Sequence, residues 1–255
     1  MVAAARAILD AELVRVGKRL AQQRLEPFDS HAVMLLTAWL AANAHDAYPS
    51  LRMQEIGLFP LGIVLLPTER VPLHIFEPRY QELIGECLDS DGEFGIVYAD
   101  ENGVREVGTL ARVSEVLERF DDGRLNIVVE GGVRFRVERL TRGRSYMTAE
   151  VDGVDDEEGE VDSELAARAT GSFRALAALA GAEPESPDED SPQLSFQLAA
   201  QVELPLEAKQ RLLESRLEAE RLELTGELLD DARLALMATH ELGERAKRNG
   251  SRMAE

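Results

Sequence analysis

Short apolar runs separated by proline and glycine mark the first half of the chain. Ile56-Gly57-Leu58-Phe59, Ile63-Val64-Leu65-Leu66 and Val71-Pro72-Leu73-His74-Ile75-Phe76 are the clearest. Such runs predict strands, with Pro72 at a strand start or edge because it has no N–H to give to a ladder. The period then changes. Tyr80, Leu83, Ile84, Cys87 and Leu88 recur at i, i+3, i+4, i+7 and i+8, the buried stripe of a helix. Pro78 suits its first turn, Glu77 puts a negative charge at the positive end of its dipole, and Asp91-Gly92 closes it. Alternation follows. Phe94–Tyr98 leads to the turn pair Asn102-Gly103, a strand over about 105–119 leads to Asp122-Gly123, and Leu125, Ile127 and Val129 share one face. Gly131-Gly132 reads as a further turn. Val133, Phe135 and Val137 then alternate against Arg134, Arg136 and Glu138, and a last strand covers about 145–151. Asn-Gly and Asp-Gly accept the positive φ of tight hairpins, so the pattern predicts a meander closing toward a small barrel.

The remainder reads as helical. Leu165, Ala169, Phe173, Leu176 and Ala180 form one stripe, stopped by Gly181. Ser191-Pro192 opens a short helix and Pro205 another. A long helix follows with Leu217, Leu224, Leu228, Ala232 and Leu236 on one side, ending in a polar tail expected to fray. Residues 152–162 are a dense acidic run, and residues 182–192 hold three prolines and five acids. Both are expected to be solvated loops that keep the protein soluble and let the two halves shift. Upstream, residues 1–52 predict two helices over about 3–24 and 30–45, broken by Tyr48-Pro49-Ser50. Met53 stands just ahead of the first strand, so these residues are either a helical extension or a product of start-site choice.

Composition narrows the function. The 255 residues carry 28 Lys plus Arg against 48 Asp plus Glu, a net charge of −20 that disfavours nucleic acid and anionic membranes. The charge-free stretch Ser30–His45 is too short to span a bilayer, and the acids ahead of it, Glu26 and Asp29, do not suit a signal peptide. A single cysteine excludes an intrachain disulfide and a multi-cysteine metal site, so a cytoplasmic location is expected. His74 has no ligand at metal-binding spacing and reads as structural. Cys87 lies on its helix's apolar stripe, where a thiol behaves as a small hydrophobe. Glu77 and Arg79 read as helix-end charges. Arg134, Arg136, Arg139, Arg142 and Arg144 make a basic patch. It reads either as the wet face of an edge strand or as a surface for RNA or an acidic peptide. The apolar residues Leu58, Phe59, Leu61, Ile63 and Leu73 are divided between core and binding surface in a way the sequence does not assign.

At FPLGIVLLPTERVPLHIFEPRY (Phe59–Tyr80) the chain closely resembles the opening of the Lon protease N-terminal, substrate-binding domain. The likeness continues through EVGTLARVSEVLERFDDGRLNIVVEGGVRFRVERL (Glu106–Leu140) and KQRLLES (Lys209–Ser215). It implies an α+β protein, a PUA-like β pseudo-barrel followed by a helical bundle. The domains expected are a helical N-terminal extension at 1–52, a β lobe at 54–152, a helical lobe at 160–245 and a flexible tail at 246–255. The motif residues carried over as structural or binding positions are Phe59, Pro60, Leu61, Pro67, Pro72, Leu73, Phe76, Glu77, Arg79 and Tyr80. Gly17-Lys18 lacks the earlier glycine of a nucleotide loop, and the chain stops short of a protease domain, so a stand-alone, non-enzymatic LON-domain protein is expected. No catalytic residue, cofactor or metal ligand is expected. The partners implied are exposed or unfolded polypeptide segments, bound directly or as an adaptor, with a protease or chaperone as a further partner class. An RNA-binding PUA-like module is the alternative.

Overall fold

Strand patterning in the first half and helical patterning in the second are both realised in the computed structural model, which describes residues 53–251. The helices expected over 3–24 and 30–45 lie outside the described residues. The strands are β1 (Gln54–Leu61), β2 (Arg70–Ile75), β3 (Phe94–Asp100), β4 (Gly103–Val104), β5 (Val107–Arg119), β6 (Leu125–Thr141) and β7 (Met147–Gly153). Helix α1 (Pro78–Ser90) sits among them. It is followed by α2 (Ser163–Ala180), α3 (Leu194–Ala199), α4 (Leu206–Glu214) and α5 (Glu218–Ser251). The fold is α+β.

The sheet runs β1-β7-β6-β5-β3 and closes through a parallel β1–β3 pairing, Leu58 opposite Gly95 to Leu61 opposite Tyr98. Closure leaves few edges to guard. β2 hangs on the first half of β6 alone, Arg70 opposite Glu130 to Ile75 opposite Leu125, so Pro72 does stand on an edge strand. The turns expected at Asn102-Gly103 and Asp122-Gly123 form, with Gly103 at φ 123 and Gly123 at φ 88. Helix α1 buries Tyr80, Leu83, Ile84 and Cys87 and ends at Asp91, φ 51.

Three expectations are corrected. Gly131-Gly132 is no turn: β6 passes straight through it as one strand from Leu125 to Thr141. Instead, Gly131 lets another backbone come close. Its N–H donates to the Glu69 carbonyl and its own carbonyl accepts from Thr68, and a Cβ there would collide with the Leu66 carbonyl. Second, Ile63–Leu66 joins no ladder. It is a strap between the two halves. Leu65 packs among the barrel residues Phe59, Ile75 and Ile127, while Val64 and Leu66 pack with Phe196, Leu212 and Leu213 from the helices. Apolar side chains on both faces made it look like a buried strand. Third, the stretch expected as a frayed tail is helical as far as Ser251.

The helical half is assembled on α2 and α5. α2 buries Ala169, Thr170, Phe173 and Leu176 and ends at Gly181, φ 64. The face of α5 that is most buried is Arg221, Leu222, Thr225 and Leu229, one position away from the stripe read from its leucines. Leu224, Leu228, Ala232 and Leu236 are only half-buried. At Gly226 a Cβ would stand 3.9 Å from Ala169, so α2 and α5 meet there across small residues.

Candidate functional site

The motif residues divide into core and surface. Phe59 and Tyr80 are buried with ring centroids 4.0 Å apart, joining β1 to α1. Pro60 and Leu61 are half-buried at the end of β1, beyond the reach of β7, where a missing N–H costs no ladder bond there. Pro67 is buried in the strap, Pro72 is exposed on β2, and Leu73 is half-buried. Glu77 pairs with Arg79 at 2.7 Å on the surface, and the Arg79 guanidinium lies 4.5 Å from the Tyr80 ring. Of the apolar residues left unassigned by sequence, Leu58 and Phe59 are core, while Leu61, Ile63 and Leu73 are half-buried.

Phe76 is the outlier, 61% exposed although it lies between a buried Ile75 and the start of α1. Alternation along β2 sends Ile75 inward, and with it His74 outward. The His74 and Phe76 rings are 6.0 Å apart and nearly parallel, and Phe120 meets His74 edge-on at 6.2 Å. A hydrogen-bonded row fixes the imidazole across three strands. His74 Nδ1 is 2.6 Å from Asn126 Oδ1, and Asn126 Nδ2 donates to Glu118 at 3.0 Å. Arg124 covers the Phe120 ring at 4.8 Å, and Leu117 is 45% exposed on the same hairpin. The result is an aromatic surface bordered by the edge of β2 that has no strand partner among the described residues. Large exposed apolar patches rimmed by polar groups are places where other molecules bind.

A second concavity, of about 520 Å³, lies where β1 passes α1 and the 142–146 loop. Gly57 makes room for its wall, because a Cβ there would press on Leu83 and on the Tyr146 ring. Tyr146 donates to Glu86 at 2.7 Å, and Arg144 holds the other Glu86 oxygen at 2.8 Å. Burial pushes the Tyr146 phenol up to about 12, helped by its bond to Glu86. Cys87 also lines this cleft, and burial, with the charges of Glu86 and Glu93, pushes its thiol up to about 11. Both groups are therefore held protonated by the fold. Their contribution to stability is complete below pH 9.0, the ordinary thiol value, and is lost as pH rises through about 11 and 12. At pH 8 the Cys87 thiolate should be about a hundredfold scarcer than in the unfolded chain. Alkylation of the native protein by iodoacetamide should be slower by about that factor, and equal rates would remove the case for a buried thiol.

The basic patch does not exist as a single surface. Arg134 is buried, 4% exposed, because β6 turns it under the helical half. It donates to the carbonyls of Leu213 and Ser215 and pairs with Asp156. Burial lowers it to about 10 against the opposing pull of Asp156. Arg136 pairs with Glu106, Arg139 with Glu150 and Arg144 with Glu86, which leaves Arg142 without a carboxylate partner among the described residues. The acidic linker is likewise not loose. Asp156 accepts from Arg221 at 2.7 Å, Arg216 donates to the Asp155 carbonyl at 2.9 Å, and Glu157 N–H donates to the Arg216 carbonyl at 2.9 Å. No local pattern distinguishes a solvated acidic loop from one whose third acid is clamped by arginines distant in the chain.

Among the described residues, no group of three or more His, Cys, Asp or Glu side chains is placed to hold a metal, and no helix is long and apolar enough to cross a membrane.

The model of the ATP-dependent protease La (LON) substrate-binding domain matches residues 55–231. Lon protease 2 of Myxococcus xanthus is 26% identical over 212 residues, covering 76% of this chain and 26% of that protein. Lon protease of Escherichia coli is 25% identical over 213 residues, 76% of this chain and 27% of that protein. The chain thus spans about a quarter of the length of these curated relatives. Among solved structures, a Lon N-terminal domain protein from Xanthomonas campestris matches with a TM-score of 0.54 at 27% identity, covering 67% of this chain and 95% of that one. The N-terminal domain of Mycobacterium avium complex Lon protease matches with a TM-score of 0.53 at 20% identity, over 70% and 99% of the two chains, and speaks for the fold alone.

Proposed function

This chain belongs to the LON substrate-binding domain family, and from that premise we propose that it binds exposed apolar segments of other polypeptides without acting on them chemically. The observation that carries the reading is Phe76, 61% exposed, backed by His74 and Phe120 and bordered by an edge of β2 without a strand partner among the described residues. Aromatic rings supply contact area at small cost in side-chain entropy, and an unpaired strand edge supplies sequence-independent main-chain pairing. Together they favour an extended, apolar, loosely specified client. The chain then serves as a recognition element, either alone or as an adaptor for a partner that unfolds or cleaves the client.

The test is the affinity for a reduced, carboxymethylated polypeptide held unfolded, measured by fluorescence anisotropy. Phe76→Ser combined with Phe120→Ser should weaken binding by about tenfold or more. The melting temperature should stay within a few degrees, because Phe76 contributes little to the core. Unchanged affinity in the double variant would sink the reading.

A further inference from the structure

Helix α5 continues past the core it packs on. Leu236 is half-buried against the core that α2 and α5 share, and the helix then runs on to Ser251, about 22 Å further. Leu234 and Met237 are 57% and 42% exposed, and Ala238 is exposed with them. Positions 234, 237 and 238 stand at i, i+3 and i+4, so they share one side of the helix and make a small apolar patch there. Leu236 belongs to the opposite side. Gly243 and Gly250 fall in the last three turns, where each lowers helix propensity. A helical stretch of that composition gains stability from a partner laid along it.

The same row of positions carries charges in a definite order. Toward the helix start it holds Glu227, which is exposed, and Asp230, whose one ion-pair contact is to Arg233 at 3.5 Å. No basic residue stands between Leu222 and Ala232. Toward the helix end the row holds Glu241, Arg245 and Arg248. Its order is acid, apolar, base, and turned end for end that order is its own complement. An antiparallel pair centred between Met237 and Ala238 sets Glu227 opposite Arg248 and Asp230 opposite Arg245. Glu241, the one acid in the basic part, then falls opposite Leu234 and not opposite another acid. A parallel pair in register sets acid on acid and arginine on arginine throughout. A parallel pair staggered to avoid that separates the two apolar patches and leaves both ends open.

We propose that two copies of this chain associate through α5 as an antiparallel, two-fold symmetric pair. Leu234, Met237 and Ala238 form its centre, and the Glu227–Arg248 and Asp230–Arg245 contacts fix its direction. A two-fold axis makes each contact occur twice, so a short pattern acts double. The apolar centre supplies the affinity. Exposed ion pairs add little to it and act mainly by rejecting the wrong alignment. The patch is small, and at a net charge of −20 two copies repel each other in general. The dissociation constant is therefore expected on the order of 10 µM. None of this depends on the aromatic surface or on what it binds.

The experiment is sedimentation equilibrium of the full chain over about 1 to about 200 µM, where a monomer–dimer equilibrium should be seen. Leu234→Glu sets an acid against Glu241 at two places and should weaken the dimer by about tenfold or more. Because Leu234 is 57% exposed, the melting temperature of that variant should stay within a few degrees. Glu227→Arg and Arg248→Glu should each weaken the dimer by about tenfold, and the two together should restore it. Glu227→Arg makes the chain less negative, so general repulsion alone predicts the opposite effect. The two positions lie about 32 Å apart along one helix, so rescue of one reversal by the other can arise only between chains. A monomer at every concentration, a dimer indifferent to Leu234→Glu, or reversals that do not rescue each other would each overturn the proposal.

Discussion

Replacing Arg221 by alanine should lower the unfolding free energy by about 3–5 kcal/mol, read from urea denaturation followed by far-UV circular dichroism. The Arg221 side chain is wholly buried, and it is the centre of the contact between the two halves. Its guanidinium donates to Asp156 at 2.7 Å, to Glu218 at 2.6 Å, to the Ser195 hydroxyl at 3.1 Å and to the Ser215 carbonyl at 3.1 Å. It also lies 4.5 Å from the Phe196 ring, which the Arg134 guanidinium approaches at 5.4 Å. Removing it strands the Glu218 carboxylate, which is only 11% exposed, and leaves Asp156 to Arg134 alone. Burial already raises Glu218 above the usual carboxylate range, against the pull of Ser195 and Arg221, so losing the cation would drive it to take up a proton. Asp156→Asn should cost less, because that carboxylate is 32% exposed and the asparagine oxygen can still accept from the guanidinium. Arg136→Ala, at an exposed pair with Glu106, should change stability by less than about 1 kcal/mol. A loss below about 1 kcal/mol for Arg221→Ala would show that the buried network is not what joins the halves.

Gly131→Ala should be nearly as damaging, about 3 kcal/mol or more, for a different reason. The new methyl would meet backbone, the Leu66 carbonyl, and not the movable end of a side chain. The strap cannot retreat without breaking other contacts. Glu69 accepts from Leu66 N–H at 2.9 Å, its other oxygen pairs with Lys209 of α4, and Thr109 donates to the Leu65 carbonyl at 2.6 Å. Relief would therefore pull Val64 and Leu66 out of the helical core and uncover a buried ion pair. Gly132→Ala is the matched control, since the nearest neighbour of its Cβ would be 3.5 Å away, an ordinary contact. The same denaturation experiment should show a large gap between the two variants. Equal effects would mean that β6 yields at Gly131 and that the strap is not held as described.

Much of the β half could be read from the chain because its signals are local. Asn102-Gly103 and Asp122-Gly123 became turns since both glycines need positive φ, and the i, i+3, i+4 stripe of α1 became a buried face. Gly131-Gly132 carries the same local signal for the opposite purpose, room for a passing backbone, and only the position of Leu66 tells the two apart. Of the candidate site, the motif containing Phe76 was marked in the sequence, but its exposure was not. Phe59 and Phe76 are equally apolar, and only the packing of α1 separates them. Phe120 gave no sign that it would meet His74, because that contact joins strands far apart in the sequence.

The sequence by itself determined the order of strands and helices, the hairpin turns, the acidic character of the chain and the family likeness. Each depends on neighbours within a few residues or on the simple sum of charges. Tertiary structure decided that Arg134 is an interior group paired with Asp156, that Ile63–Leu66 is a strap, and that the supposed basic patch is divided among separate ion pairs. Those outcomes turn on contacts between residues tens of positions apart. Burial and partnership there are properties of the whole packed arrangement, and no window of the chain contains them.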